Sequence, residues 1–501
     1  MKVGSNEIVR NIDKYCIDIL GYPGLLLMEN AALKVLRHIS QEDGRYYTVI
    51  CGRGNNGGDG LAIARHLKAL GKKVDVFQIG NGRMSEDCKK NYELLLKLGI
   101  KVKSISNIDD LSMLKDSLIE SDTAIDAIFG TGISRTLDEL YISCIAVVNE
   151  NSKNIIAVDV PSGMDSDNGN IMGDCIKANK TITFTLYKKG FLNYKAKKYT
   201  GEVHIEEIGI PKEIVDIYHD KEYIISPRDI KAIIPNREIA GHKGSYGRVL
   251  IIAGSRGFTG AAYLSGRACV MSGAGLITVA CPREIQDVLS SKLAEAMTYG
   301  FSSPQELKAM IEANEVIAIG PGLGNNETTL EVLKLVMNKK EGTVIIDADG
   351  INVLAENKFI LKGYSGLRVI MTPHPGEMAR LSGLSTDYIN ENRIKVAKKF
   401  AKDNNVVLLL KGYNTVITDG IEVYVNPTGS SAMASGGMGD SLTGMIAAFA
   451  AQGLGDLKCA CLGAYAHGYA GDRLSEERYS VNAESLIEEL PYAIKALQGL
   501  L

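Results

Sequence analysis

The sequence predicts two consecutive α/β units, each a parallel, doubly wound sheet covered by helices. Short β-branched runs alternate with helix-length segments through both halves of the chain, the pattern of strand-helix-strand crossovers. The alternation weakens once, across residues 210–237, where Pro211, Pro227 and Pro235 are spaced through a charged stretch. A length of 501 residues also exceeds what one hydrophobic core usually supports. One domain is therefore expected over residues 1–222 and a second over 223–501.

In the first half, residues 46–51, 73–79, 123–129, 155–160 and 180–186 read as strands, with a helix over 61–70. The second series runs 248–253, 276–280, 316–319, 343–347, 368–371 and 406–411, followed by an apolar helical pattern at 441–452. With 45% hydrophobic residues, 23% charged residues and a net charge of −3, the composition is that of a soluble globular protein with no basic field for nucleic acid. Residues 1–15 carry Lys2, Glu7, Arg10, Asp13 and Lys14 without an apolar core, so neither a signal peptide nor an anchor is expected. No apolar stretch is long enough to span a bilayer. The nine cysteines are scattered, and the close pair, Cys459 and Cys461, has a spacing that fits neither a zinc knuckle nor a redox pair. Reduced thiols in a cytoplasmic protein are the expectation.

The strongest chemical signal is Gly436-Gly437-Met438-Gly439-Asp440, just before the helical pattern at 441–452. Glycines let backbone N–H groups close around an anion, and the following helix adds the positive end of its dipole. Asp440 can take a proton from an attacking hydroxyl, as phosphoryl transfer requires. A tight turn with a solvated aspartate is the plain alternative. In the first half, Gly52-Arg53-Gly54-Asn55-Asn56-Gly57-Gly58-Asp59-Gly60 lies between the strand at 46–51 and the helix at 61–70. It contains GxGxxG, yet the next strand ends Gln78-Ile79-Gly80 without a ribose-holding acid, and no Gly-Lys-Ser/Thr follows. What remains is a tight loop offering two amides and one carboxylate to something small and polar.

Loops at residues 126–136 and 159–165 should project from the same sheet edge, where open α/β sheets bind ligands, although their Asp and Ser residues could instead cap helices. Asn56, Asp126 and Ser162 are hard oxygen donors that suit K⁺ better than zinc. His374, between Pro373 and Pro375, is excluded from a helix interior and reads as part of a ligand-facing loop. His467, in an Ala-rich helical run, is expected to be packed or capping. Asp347 and Asp349, at the end of an apolar strand, could position water or metal, while Asp349 and Asn352 could equally cap the next helix. Lys188 and Lys189 could be no more than a solvated pair at a strand end.

These segments together carry a resemblance. The chain resembles the bifunctional NAD(P)H-hydrate repair enzymes, in which a Rossmann-like epimerase domain is fused to an ADP-dependent dehydratase domain of ribokinase-like fold. The resemblance covers nearly the whole chain. It rests on Asn55 to Gly60, Asp126-Ala127-Ile128-Phe129-Gly130-Thr131-Gly132, Val158-Asp159-Val160-Pro161-Ser162-Gly163, His242-Lys243-Gly244-Ser245-Tyr246-Gly247, Gly320-Pro321-Gly322-Leu323-Gly324, Thr372-Pro373-His374-Pro375-Gly376-Glu377 and Gly436 to Asp440.

The resemblance implies that the first domain interconverts the R and S epimers of hydrated NADH or NADPH. Its substrate contacts would be Asn55, Asn56, Gly57, Gly58, Asp59, Gly130, Thr131, Gly132, Ile133, Ser134, Arg135, Thr136 and Asp159, with K⁺ on Asn56, Asp126 and Ser162. Asp159 and Asp59 are the acid/base candidates, with Lys188 a weaker one. The second domain would move a phosphoryl group from ADP, or in some relatives ATP, to the hydrate's hydroxyl, with Asp440 as base and Mg²⁺ on the nucleotide phosphates. Hydrate contacts would fall on Gly322, Leu323, Gly324, His374, Pro375, Gly376, Glu377, Met378, Ala379, Arg380 and Asp440. Nucleotide contacts would fall on Lys411, Gly412, Tyr413, Asn414, Thr415, Ser431, Ser435, Gly436, Gly437, Met438 and Gly439. Where relatives often carry a lysine before the glycine pair, this chain has Ser435, so the neutralising charge is either missing or supplied by Lys411. A homo-oligomer is implied by resemblance. The alternative is a ribokinase-like vitamin kinase with a non-catalytic N-terminal binding domain.

Overall fold

The computed structural model describes residues 1–39, 44–133, 135–364 and 366–499. The chain divides into two compact units, Met1–Asp220 and Lys221–Leu501. The division falls just before the expected residue 222, because Glu222 already pairs with Val423 in the second unit's sheet.

The first unit holds a seven-stranded sheet. Its strands are β1 (Tyr46–Cys51), β2 (Lys73–Ile79), β3 (Val102–Ile105), β4 (Thr123–Ala127), β5 (Ile155–Val158), β6 (Lys180–Phe184) and β7 (Glu202–Glu206). They lie in the order β3-β2-β1-β4-β5-β6-β7, every neighbouring pair parallel. In β1, Tyr47, Val49 and Cys51 pack with α1 (Gly24–Ile39) and α2 (Asn55–Ala69), while Ile50 packs on the opposite face with Leu114 and Val148. Burial on both faces explains the continuous apolar runs of the central strands. The edge strands β3 and β7, short and rich in Lys, Glu and His, carry no such run and have no counterpart among the expected strands. Order reverses between β1 and β4, which creates the crevice where such sheets bind ligands.

Helix α2 begins at Asn55, six residues before the expected 61. Its glycine-rich opening is poor helix sequence, kept because the helix lies hard against the strand ends. A Cβ at Gly57 would strike the Gly52 carbonyl oxygen, and one at Gly58 would come within 2.7 Å of Met28 Sδ.

The second unit holds a ten-stranded sheet. Its strands are β8 (Glu222–Ile224), β9 (Arg248–Ile252), β10 (Leu276–Pro282), β11 (Met297–Phe301), β12 (Val316–Ile319), β13 (Gly342–Ile346), β14 (Leu367–Met371), β15 (Val407–Leu410), β16 (Thr415–Thr418) and β17 (Val423–Asn426). The order is β8-β17-β16-β15-β14-β13-β12-β9-β10-β11, parallel except where β16 pairs antiparallel with β15 and β17. On one face Val249 and Ile251 pack with α3 (Thr259–Met271), α6 (Met438–Ala451) and α7 (Asp456–Ser475). On the other Leu250 and Ile252 pack with α4 (Asp349–Glu356) and α5 (Pro375–Ser382). His467 on α7 is 7% exposed, with its Nε2 3.0 Å from Ser441 Oγ of α6, so it is packed, as expected.

Two outcomes follow from this packing. Gly57→Ala should lower the stability of the first unit by about 1–3 kcal/mol through overpacking, read as a lower chemical-denaturation midpoint. Burial pushes His467 from 6.5 down to about 4, so the unfolded chain takes up its proton first. The stability tied to neutral His467 is whole above pH 6.5 and is lost as pH falls from 6.5 through 4, by roughly 3 kcal/mol. Thermal melts across that range should show the loss, and His467→Gln, which can still bond the Ser441 hydroxyl, should flatten it.

Candidate active sites

In the first unit, three segments leave the carboxyl ends of the adjacent strands β1, β4 and β5. The first is the start of α2. Gly54 caps it, so Asn55, Asn56, Gly57, Gly58 and Asp59 are helical residues and not the loop expected, and the helix N-terminus points its unpaired amides outward. Asn56 is buried, and neither its Oδ1 nor its Nδ2 has a hydrogen-bond partner. A buried amide left without partners marks a place built for another group.

After β4, Asp126 is buried and accepts from the Ile128 N–H at 3.2 Å, the Ser162 N–H at 2.8 Å and the Ser162 hydroxyl at 2.6 Å. Ser162 Oγ lies 2.9 Å from the Phe129 N–H and 3.3 Å from the Phe129 carbonyl oxygen. Burial, opposed by these bonds, pushes Asp126 up to about 6. The fold thus brings Asp126 and Ser162 into direct contact. Gly130 joins the segments: a Cβ there would come within 3.1 Å of Asp159 Oδ2 and 3.4 Å of Asn56 Cγ. Further along, Thr131 is half-buried and Gly132, Arg135 and Thr136 are exposed, whereas Ile133 is buried; Ser134 lies outside the described residues.

Asp159, after β5, has φ +65°, a left-handed conformation that a non-glycine residue adopts at a cost. Its Oδ1 is 2.9 Å from Lys188 Nζ and accepts from the Thr183 hydroxyl at 3.1 Å. Lys188 is 1% exposed and also donates to the carbonyls of Phe184 and Leu186. The solvated pair expected at 188–189 is therefore wrong for Lys188. The signal was its parity: Phe184, Leu186 and Lys188 are buried, while Thr185 and Tyr187 between them are half-buried. Asp59 is held well above the usual carboxylate range by burial and then by the charge of Asp159.

In the second unit the site lies at the carboxyl ends of the neighbouring strands β12, β13, β14 and β15. Gly437, at φ +89°, caps α6, so Met438, Gly439 and Asp440 form its first turn, ahead of the expected start at 441. Buried Asp347 places Oδ1 2.7 Å from Lys411 Nζ and accepts from the Thr443 hydroxyl of α6 at 2.8 Å. It is thus an ion-pair partner. A Cβ at Gly439 would come within 3.3 Å of Lys411 Nζ, which sets that ammonium beside the glycine turn. Glu377 Oε2 is 4.0 Å from the same ammonium. Burial, with help from Asp347 and against Lys411, raises Asp440 to about 6; burial likewise raises Glu377 to about 7. Burial opposes the charge on Lys411, but Asp347, Glu377 and Asp440 outweigh it and raise its pKa.

The stretch from His374 to Arg380, expected as a loop, is a helix cap followed by α5 with Pro375 at its first position. His374 Nδ1 accepts from the N–H groups of Gly376 and Glu377, at 3.0 and 3.4 Å, and Glu377 Oε2 accepts from the His374 N–H at 2.8 Å. Burial and then the charges of Lys411 and Arg380 keep His374 below its ordinary pKa. Met378 is buried in the core and Ala379 packs against it, so His374, Glu377 and Arg380 bring the polar atoms. A relay joins Arg380 to the glycine loop: Arg380 Nε donates to Asn352 Oδ1 at 3.0 Å, Asn352 Nδ2 to Asp349 Oδ1 at 3.3 Å, and Gly324 N–H to Asp349 Oδ2 at 2.8 Å. Asp349 is therefore a link between loops. Gly322 accepts from the Ser255 hydroxyl at 2.7 Å, and Leu323 is buried.

After β15, Lys411 leads into Gly412, Tyr413 and Asn414, with the Thr415 hydroxyl donating to the Gly412 carbonyl at 3.0 Å. Ser431 is exposed, and the Ser435 hydroxyl donates to the Val481 carbonyl at 3.0 Å. A Cβ at Gly436 would meet nothing within 4 Å, so that side of the turn is open.

Residues 249–492 match the family model described as NAD(P)H-hydrate dehydratase, and residues 24–190 match that described as YjeF-related protein N-terminus. The chain is 39% identical to the bifunctional NAD(P)H-hydrate repair enzyme of Moorella thermoacetica, over 95% of this chain and 93% of that one. A ribokinase-like superfamily protein from Enterococcus faecalis is 31% identical with a TM-score of 0.52, covering 56% of this chain and 97% of that one. The ADP/ATP-dependent NAD(P)H-hydrate dehydratase of Bacillus subtilis, co-crystallised with ATP and Mg²⁺, is 30% identical with a TM-score of 0.50, covering 55% and 98%. The second unit accordingly has the ribokinase-like fold, and with both regions present over nearly the full length, the chain belongs to the family of bifunctional NAD(P)H-hydrate repair enzymes.

Proposed function

We propose that the first unit interconverts the R and S forms of hydrated NADH and NADPH, and that the second dehydrates the S form with ADP as phosphoryl donor, releasing AMP and phosphate. The observation that carries this reading is the start of α6, where Gly437 caps the helix, Asp440 lies in its first turn and the Lys411 ammonium sits beside Gly439. Donors fixed in advance around developing oxygen charge are what phosphoryl transfer needs. Asp440 takes the proton of the hydrate's hydroxyl as its oxygen bonds to the terminal phosphorus of ADP and the bond to AMP breaks. Phosphate then leaves the carbon, pushed by the ring nitrogen's lone pair, and loss of a proton from the neighbouring carbon restores the double bond. The Gly322–Gly324 loop, His374 and Arg380 are assigned to the hydrate; Lys411 to Thr415 and Ser431 to Gly439 are assigned to the nucleotide. Mg²⁺ would neutralise phosphate oxygens. No group of three acidic, histidine or cysteine side chains converges among the described residues, so it would ride on the nucleotide.

In the first unit, the epimerised carbon bears both the hydroxyl and the ring nitrogen. Asp59, held above the usual carboxylate range by burial, is suited to give a proton to the departing hydroxyl, and Asp159, paired with Lys188, is suited to take one back. Water returning to the opposite face gives the other epimer. Asn55 to Asp59 and the loop at 130–136 would hold the substrate. The unpartnered Asn56 amide beside Gly130, with the oxygens of Asp126 and Ser162, fits K⁺, which would offset the buried Asp126 charge. A cytoplasmic setting is supported by nine buried cysteines without disulfides, and a homo-oligomer is inferred from the family resemblance alone.

Near-ultraviolet absorbance, followed on a mixture of both NADH-hydrate epimers with ADP, Mg²⁺ and K⁺, should recover fully. Recovery that stalls at the fraction of one epimer would remove the epimerase, and a phosphorylated product without recovery would indicate a kinase. Asp440→Asn should lower dehydration by about 10²–10⁴-fold while nucleotide still binds in calorimetry. Because Asp440 titrates near 6, the wild-type dehydration rate should fall as pH drops through about 6. Asp159→Ala should leave the epimers exchanging at the spontaneous rate.

A further inference from the structure

The crevice of the second unit does not end at the Gly322–Gly324 loop. A cavity of about 820 Å³ continues along the same sheet edge, past β12 to the carboxyl ends of β9, β10 and β11. That volume is the size of a small-molecule site. It is lined by Ser255, which follows β9, by Pro282 at the end of β10, by Phe301 at the end of β11, and by Leu323 and the start of the helix Glu327–Met337. Three of its lining residues are bonded to the hydrate loop itself. The Ser255 hydroxyl donates to the Gly322 carbonyl at 2.7 Å, Asn326 Nδ2 to the Leu323 carbonyl at 3.2 Å, and the Thr329 hydroxyl to the Gly324 carbonyl at 2.8 Å. Cavity and loop are therefore one construction.

We propose that this cavity holds the adenosine monophosphate half of the hydrated dinucleotide while the reacting ring lies at Asp440. The inference rests on the dehydratase reading above. Sheet order sets the direction: the nucleotide residues Lys411 to Thr415 follow β15, the hydrate loop follows β12, and β9, β10 and β11 come next on the far side of β12. With ADP on the β15 side, the remainder of the hydrate has to run the other way, into the cavity. The lining suits that half. Pro282, Phe301, Leu323 and Val332 give apolar wall for a flat base. Arg283 supplies a cation for phosphate, its Nε donating to Ser302 Oγ and its Nη2 to Glu306 Oε2, each at 2.8 Å, so the guanidinium is fixed in advance. Glu284 and Glu327, both exposed, are acceptors for ribose hydroxyls, the part an acid plays in dinucleotide crevices. Binding a half that does not react lets its contacts orient the ring that does.

The test uses the full chain with ADP and Mg²⁺, comparing the S hydrate of NADH with the S hydrate of reduced nicotinamide mononucleotide, which lacks the adenosine half. Wild type should dehydrate the mononucleotide with a kcat/KM about tenfold or more below that for NADH hydrate. Thr328→Trp, at an exposed lining position in the first turn of its helix, should fill the cavity. It should lower kcat/KM for NADH hydrate by about tenfold, while the mononucleotide value stays within about twofold of wild type and KM for ADP is unchanged. Wild-type values for the two hydrates within about twofold of each other overturn the inference, and that comparison decides even where Thr328→Trp does not fold. A folded Thr328→Trp that loses activity on both hydrates alike also overturns it. If wild type restores the absorbance of neither hydrate, the dehydratase reading falls first and takes this inference with it.

Discussion

Each unit sets a lysine ammonium, fully buried in the first and partly buried in the second, against an aspartate at the carboxyl end of a parallel strand. Lys188 bonds Asp159 in the first unit, and Lys411 bonds Asp347 in the second. Removing one partner of such a buried pair leaves an uncompensated charge at a cost of about 3–5 kcal/mol, so each pair binds together loops that share little else. Through Lys188, the end of β6 holds the strained Asp159 backbone after β5. Through Asp347, Lys411 is tied to β13 and, by way of the Thr443 hydroxyl, to the helix whose first turn carries Asp440.

Around each ammonium the remaining acids are sorted by environment. Asp59 is held above the usual carboxylate range because burial and then the charge of Asp159 both oppose its ionisation, while Asp159 has the lysine. In the second unit Glu377 is buried and titrates near 7, whereas Asp440, at the open mouth of the glycine turn, titrates near 6. Two related sheets therefore support two reactions. On the proposed roles, one site would work with Asp59 and Asp159 as acid and base, and the other with Asp440 as base beside a glycine turn for oxygen charge.

Much of this was legible in the chain before folding. The central strands were readable because double burial forces continuous apolar runs, and the site segments because glycine and aspartate at strand ends have few purposes other than turning and binding. Boundaries were harder. Glycines in the opening of α2 read as loop, since helix propensity carries no information about the Gly52 carbonyl oxygen that packs against Gly57. The stretch from His374 read as loop because prolines flank it, yet Pro375 suits the first position of a helix whose missing N–H costs nothing. Edge strands such as β3 and β7 went unread because one wet face breaks the apolar pattern.

By itself the sequence determined the two α/β units, the segments that face the ligand edge and the family to which they belong, because those depend on local periodicity and short motifs. Only the tertiary structure decided that Lys188 is buried against Asp159, that Asp347 is held by Lys411 and Thr443, and that Val3–Gly4 pairs with Tyr187–Lys188. Those facts depend on distances between residues far apart in the chain, and a charge declares its partner only once folding has removed the water between them.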